Sequence, residues 1–132
     1  MASLLGKIDP RGRPVVELVS GRGDRFLALV DTGFNGELMV SDLDARLLGF
    51  AISSKISSAG LAGDVLQHVF EATGAVSWMG VVRQVEVLVS PNPKSRAIRS
   101  ETDPIALIGT RLLTPSLLLI DYLIGKVEIE TQ

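Results

Sequence analysis

Asp31, Thr32 and Gly33 form the short run in this sequence whose residue types best suit chemistry at a carboxyl group. They follow the apolar stretch Leu27-Ala28-Leu29-Val30, so the carboxylate emerges at the end of a strand, beside core rather than in open water. That placement is more than a turn requires, and it suits a side chain that gives or takes a proton. The plainer account of the same tripeptide is a loop in which Asp31 binds the backbone ahead of it and Gly33 supplies conformational freedom.

Other reactive constellations are thin. His68 is the only histidine and there is no cysteine, so a site built on several imidazoles or thiolates is excluded. No Gly-x-Ser-x-Gly elbow accompanies His68, which reads as a strand residue. Asp42-Leu43-Asp44 has the look of a metal pair but fits the first turn of a helix better. Asp121, in Leu119-Ile120-Asp121-Tyr122, reads as a hydrogen-bonded structural carboxylate. Arg22-Gly23-Asp24 spells a cell-adhesion tripeptide, yet its setting is that of a tight hairpin turn. Trp78 and Phe70 read as core or pocket wall.

The elements that must position Asp31 are mostly strands. Val15–Val19 and Phe26–Val30 are aliphatic runs joined by Ser20-Gly21-Arg22-Gly23-Asp24, a hairpin pattern. After the Asp31 loop comes a short strand at Glu37–Val40. Ser41 then caps a helix of about two turns, with Leu43, Leu47 and Leu48 as its expected apolar face and Gly49 as its stop. Ile56–Ala59 and Val65–Phe70 flank Gly60-Leu61-Ala62-Gly63 and predict an extended hairpin with a glycine-rich tip. Gly80 turns the chain into Val81–Val89, and Pro91–Asp103 is a polar loop. Ile105–Gly109, a helical turn at Thr110–Leu113, and strands at Leu117–Asp121 and Val127–Glu130 complete the chain. The fold class expected is mainly β, a small closed or nearly closed barrel with one or two short helices, in a single domain over 1–132.

Taken together and in order, Val30-Asp31-Thr32-Gly33, the glycine-tipped hairpin, and Leu107-Ile108-Gly109-Thr110-Arg111-Leu112-Leu113 resemble the signatures of the retropepsin-like aspartic proteases. The resemblance runs from about Val15 to Glu130 and implies a barrel of the acid-protease type. It implies that Asp31 is the catalytic carboxylate, that Thr32 braces the loop against its twin, and that Gly33 lets the backbone approach the substrate. Phe34, Gly60, Leu61, Ala62 and Gly63 would contact a bound polypeptide, the last four as a mobile cover, and Gly109 would let the later strand pack under the loop. The retroviral branch carries a small residue and then an acid after the triplet, and an arginine after the later glycine. Phe34, Asn35 and Thr110 stand there instead, which looks more like the prokaryotic branch, and Arg111 is the nearest substitute for the missing pair.

Aspartic protease chemistry needs two carboxyls sharing one proton, one to activate water and one to donate to the scissile carbonyl. The chain has one Asp-Thr-Gly and no Asp-Ser-Gly, so the implied enzyme is a homodimer with one Asp31 from each copy. The alternating tail Val127-Glu128-Ile129-Glu130 is the expected source of interface strands. No cofactor and no metal are implied. The rival reading is a non-catalytic peptide-binding or dimerisation module of the same fold, favoured by the bulk of Phe34 beside the carboxylate.

Composition sets the outer bounds. Of 132 residues 46% are hydrophobic but only 5% aromatic, so Val, Leu, Ile and Ala must build the core. A mean hydropathy of +0.35 is high for a small soluble chain and hints at surface covered by a second copy. Thirteen basic against fifteen acidic residues, without a basic cluster, leave no electrostatic footprint for nucleic acid. The start lacks a signal-peptide pattern, and Ile105–Ile124 is interrupted by Arg111, Pro115 and Asp121, which argues against a membrane span. The expectation is a soluble, cytoplasmic protein.

Overall fold

The computed structural model describes residues 2–61, 65–91 and 103–131. Extended segments dominate them: β1 (Ala2–Ile8), β2 (Pro14–Ser20), β3 (Arg25–Val30), β4 (Leu38–Ser41), β5 (Ala51–Leu61), β6 (Val65–Trp78), β7 (Val81–Ser90), β8 (Ala106–Ile108), β9 (Leu117–Asp121) and β10 (Lys126–Thr131). Two short helices interrupt them, α1 (Asp42–Leu47) and α2 (Thr110–Leu113).

The strands form one sheet in the order β5-β6-β7-β4-β8-β3-β2-β1-β10-β9. β6 also pairs with β2, Val19 opposite Ser77 and Ser20 opposite Val76, which closes six strands into a barrel. The fold is therefore mainly β, with a closed six-stranded barrel and two short helices. Local chemistry explains its turns. Ser20 accepts from the backbone N–H groups of Arg22 and Asp24, fixing the β2–β3 hairpin that carries Arg22-Gly23-Asp24. Met79 and Gly80 both take positive φ, 55° and 81°, the conformation a two-residue hairpin turn between β6 and β7 demands.

The core fills the barrel with aliphatic side chains from alternate positions, among them Val16, Ala28, Val30, Val40, Val87 and Ile108. A second, smaller cluster lies on the opposite face of the same strands: Phe34, Met39, Val69 and Leu88, with Leu107 packed against them. Burial on both faces is why Leu38-Met39-Val40 and Val87-Leu88-Val89 are unbroken apolar runs rather than alternating ones.

Several expectations need correction. α1 is capped by Ser41, whose hydroxyl accepts from the Asp44 N–H, and ends at Gly49 with φ 76°. Its buried side is Asp44, Ala45 and Leu48, whereas Leu43 and Leu47 are 46% and 57% exposed. The Ser41 hydroxyl also meets the Asp44 carboxylate at 2.9 Å, so the inward position is held by a satisfied polar group and not by a third leucine. β1 has no counterpart among the expected strands. Its outward Leu5 and central Gly6 spoil the alternation, and long-range pairing with β2 and β10 creates it. Strand β10 cannot lend an edge to a partner, because Val127 pairs with Gly6 on one side and Ile120 on the other.

Asp9 orders the β1–β2 turn. One carboxylate oxygen accepts from the backbone N–H groups of Arg11 and Arg13, each at 2.9 Å, and the other from the Arg13 side chain at 2.7 Å. Arg13 reaches on to Asp103 at 3.1 Å, which ties the turn to the segment leading into β8. Burial opposes charge on Asp9, but the Arg13 backbone and side chain and the Arg11 N–H together hold its carboxyl below the ordinary value of 3.8. A depressed folded-state value means the stabilisation is complete above the ordinary carboxylate range and is lost as pH falls through the lower folded value. Thermal melts should therefore show Asp9→Asn less stable than wild type at neutral pH, with the gap narrowing as acid protonates the native carboxyl. A gap independent of pH would contradict this role.

Candidate functional site

The site is created by an obstruction. β8 lies between β3 and β4, parallel to the first and antiparallel to the second, so β3 and β4 cannot pair and the chain must cross over the end of β8. The Asp31 N–H donates to the Ile108 carbonyl at 2.9 Å, extending the β3–β8 ladder one residue beyond Val30. The chain then turns: the Phe34 N–H donates to the Asp31 carbonyl at 3.1 Å, and the Gly33 N–H donates to Asp31 Oδ1 at 2.9 Å. Asp31 is half-buried, while Thr32 and Gly33 are exposed beside it. One carboxylate oxygen is thus oriented by the backbone, and Oδ2 has no hydrogen bond among the described residues. The turn-forming and proton-handling accounts of Asp31 are compatible, since the same contact that shapes the loop aims the carboxylate.

Phe34 anchors the crossing. Its ring is fully buried at 0% exposure, against Met39, Val69 and Leu88. Phe34 as a substrate contact is therefore corrected: the side chain points into the second cluster, and only its backbone stays with the loop. Room for the ring exists because Gly36 and Gly109 lack side chains; a Cβ at either position would collide with Phe34. The bare backbone of Gly109 lets β8 and α2 pack close against the loop. The carbonyl of Phe34 accepts from the Thr110 N–H at 2.9 Å, and that of Gly36 from the Arg111 N–H at 3.2 Å. The otherwise unpaired N–H groups that begin α2 are spent on the loop.

The loop exit is pinned by Glu37, which sequence patterning treated only as the start of a strand. Its carboxylate accepts from the Glu86 N–H at 2.8 Å and from Arg83 at 2.9 Å, while its carbonyl accepts from the Gly109 N–H at 3.1 Å. Arg111 does not reach the Asp31 loop with its side chain; it pairs with Glu86 at 3.3 Å on an exposed face.

β5 and β6 build the expected hairpin. Gly60 lies opposite Leu66 and Leu61 opposite Val65, so both residues belong to the paired strands, and Ala62 and Gly63 lie outside the described residues. The pairing of β6 with β7 begins only at Phe70, opposite Val89, so Val65–Val69 extends beyond the third strand for about 16 Å at strand rise. Val69, at the base of this two-stranded arm, is buried in the Phe34 cluster. The arm and the Asp31 loop therefore share one small core.

The remaining candidates are structural. Asp42 pairs with Arg46 along α1, and Asp121 Oδ1 accepts from the Leu123 N–H at 2.9 Å to shape the β9–β10 turn. His68 is exposed on β6 opposite Ser58. A groove of about 390 Å³, lined by Ser53, Glu71, Thr73, Gln84 and Glu86 with neighbouring alanines and Val85, lies apart from Asp31. Among the described residues no group of three or more His, Asp or Glu is placed to hold a metal ion, and no helix is long and apolar enough to cross a membrane. No protein-family model and no curated protein matches the chain.

If Phe34 plugs the loop, Phe34→Ala leaves a cavity that the sheet cannot close and should cost about 3–5 kcal/mol of unfolding free energy. Urea denaturation would measure it, and a loss below about 1 kcal/mol would show that the ring is not a core side chain.

Proposed function

We propose that the protein is a homodimeric aspartic endopeptidase of the retropepsin-like kind, with Asp31 of each copy forming the catalytic pair. The observation that carries this reading is the joint placement of Asp31 and the β5–β6 arm on the Phe34 cluster. A half-exposed carboxylate, oriented by the Gly33 N–H, sits on a loop whose packing is continuous with a projecting hairpin. A carboxylate that must act on an extended polypeptide needs such a floor and such a cover, since backbone recognition holds the substrate along strand edges.

In the proposed reaction one Asp31 is ionised and takes a proton from a water molecule, whose oxygen attacks the scissile carbonyl carbon. The other, neutral, donates its proton to the carbonyl oxygen, giving a neutral tetrahedral diol. Collapse of that diol returns a proton to the amine as the C–N bond breaks. Two carboxyls about 3 Å apart cannot both ionise, so the pair titrates as a unit. Gly33 and Thr32, exposed beside Asp31, occupy the face on which a twin loop and a substrate would approach. With its ring buried, Phe34 offers no obstruction there, and the non-catalytic alternative loses its particular support.

The test is cleavage of a denatured polypeptide by the purified protein. Wild type should cleave, with a rate maximum at acidic to mildly acidic pH and inhibition by a hydroxyethylene mimic. Asp31→Asn should reduce the rate by at least about a thousandfold while leaving the melting temperature unchanged. Undiminished cleavage by Asp31→Asn would refute the assignment.

A further inference from the structure

We propose that the outer groove between β5, β6 and β7 binds a linear aliphatic diamine as its dication, one ammonium on Glu71 and the other on Glu86, at a site that needs neither the homodimer nor the protease reading. The groove, of about 390 Å³, falls within the roughly 300–1,000 Å³ typical of small-molecule sites. A break in the β5–β6 ladder lies along it. Ile52 pairs with Ala72 and Ile56 with Phe70, so Ser53, Ser54 and Lys55 all face the single residue Glu71. Irregularities of this kind bend the strand and re-aim side chains beside sites.

Register decides what the groove offers. Thr73 lies opposite Glu86 and Glu71 opposite Leu88, so Glu71, Thr73, Gln84 and Glu86 project from one face of the sheet. The two glutamates are diagonal neighbours on adjacent strands, with Cα atoms roughly 7–8 Å apart. Ser53 joins Glu71 at one end of the groove, and Thr73 and Gln84 join Glu86 at the other. These groups present carboxylate, hydroxyl and amide oxygens, all acceptors, and the lining itself carries no cationic side chain. An ammonium has three N–H donors and no acceptor, which is the complement of each end. Ala51, opposite Thr73, gives the methylenes of a short chain an apolar bed between the two ends. A spacer of about four methylenes sets the two ammoniums at a separation that suits the diagonal.

The same carboxylates already draw cations from the rim. Lys55 Nζ lies 3.6 Å from Glu71, and the Arg111 guanidinium lies 3.3 Å from Glu86. Their side chains are 74% and 61% exposed, so each pair is a single long contact on a flexible stem, a kind that contributes little. One dication engages both carboxylates for a single loss of freedom, where the two resident side chains incur two. The groove also abuts the Phe34 cluster, because Leu88, opposite Glu71, and Val69, two residues before it, both belong to that cluster. Glu37 holds the Glu86 N–H at 2.8 Å. An occupant joining β6 to β7 here therefore braces the strands on which the Asp31 loop is anchored.

Calorimetric titration of the purified protein with 1,4-diaminobutane at low ionic strength tests this. One saturable site per chain is expected, weakening as salt is added. Butylamine, with a single ammonium, should bind at least about tenfold more weakly. Glu71→Gln and Glu86→Gln keep the side-chain shape and should each weaken the diamine by at least about tenfold, with an unchanged circular dichroism spectrum. Lys55→Ala and Arg111→Ala remove the competing cations and should each tighten it. No saturable binding up to about 10 mM, equal affinity for butylamine and the diamine, or undiminished binding in both glutamine variants would overturn the proposal. Asp31→Asn should bind the diamine as wild type does, so a failure of the protease reading leaves this site standing and the reverse also holds.

Discussion

Insertion of β8 between β3 and β4 is the constraint from which the candidate site follows. Two strands adjacent in sequence would ordinarily close with a short hairpin, but here a third strand occupies the space between them. The connection must rise over the end of β8, and a connection that leaves the sheet needs its own hydrogen bonds and its own anchor. The Asp31 N–H and the Gly109 N–H supply the first two bonds at its entry and exit, and the Phe34 ring supplies the anchor. The carboxylate of Asp31 is held at the top of that bridge as a by-product of how the bridge is secured.

The second cluster gives the site its stiffness. A chain poor in aromatic residues uses one of its few phenylalanines in a loop, against Met39 and Leu88 on the outer face of strands already buried on their inner face. Fully burying such a ring is worth about 1.5–3 kcal/mol, enough to favour one loop conformation strongly over alternatives. Val69 belongs to the same cluster, so displacement at the base of the β5–β6 arm is felt at Phe34 and hence at Asp31. Glu37 and its donors on β7 add a polar clasp on the far side of the crossing.

The sheet is divided between enclosure and exposure. Six strands close on themselves, but β1, β10 and β9 continue outward as a wing whose inner face meets the core through Leu4, Leu118, Ile120 and Ile129. The wing's middle strand is paired on both edges, and among the described residues its last strand is paired on one. Exposed aliphatic residues lie along the wing and its terminal turn, at Leu5, Leu117, Leu119, Leu123 and Ile124, and also on α1, β5 and β7, at Leu43, Leu47, Ile56, Val81 and Val82.

Local signals determined a good share of this protein. The β2–β3 hairpin, the Ser41 cap and Gly49 stop of α1, the Gly80 turn, the arm at β5–β6 and the two segments that meet at the site were all legible, because each depends on neighbours within a few residues. The position of Asp31 at the end of an apolar strand was legible for the same reason. Tertiary structure decided the rest. It turned Phe34 inward, since the ring needs the bare backbone of the distant Gly109 as well as that of neighbouring Gly36. It faced α1 with Asp44 and Ala45, placed β10 in the interior of the wing, and recruited Glu37 and Asp9 as clasps through partners that hydropathy and periodicity do not register. Side-chain direction in a loop and strand order in a sheet are set by which surfaces are already occupied, and that information resides in contacts between residues far apart in the chain.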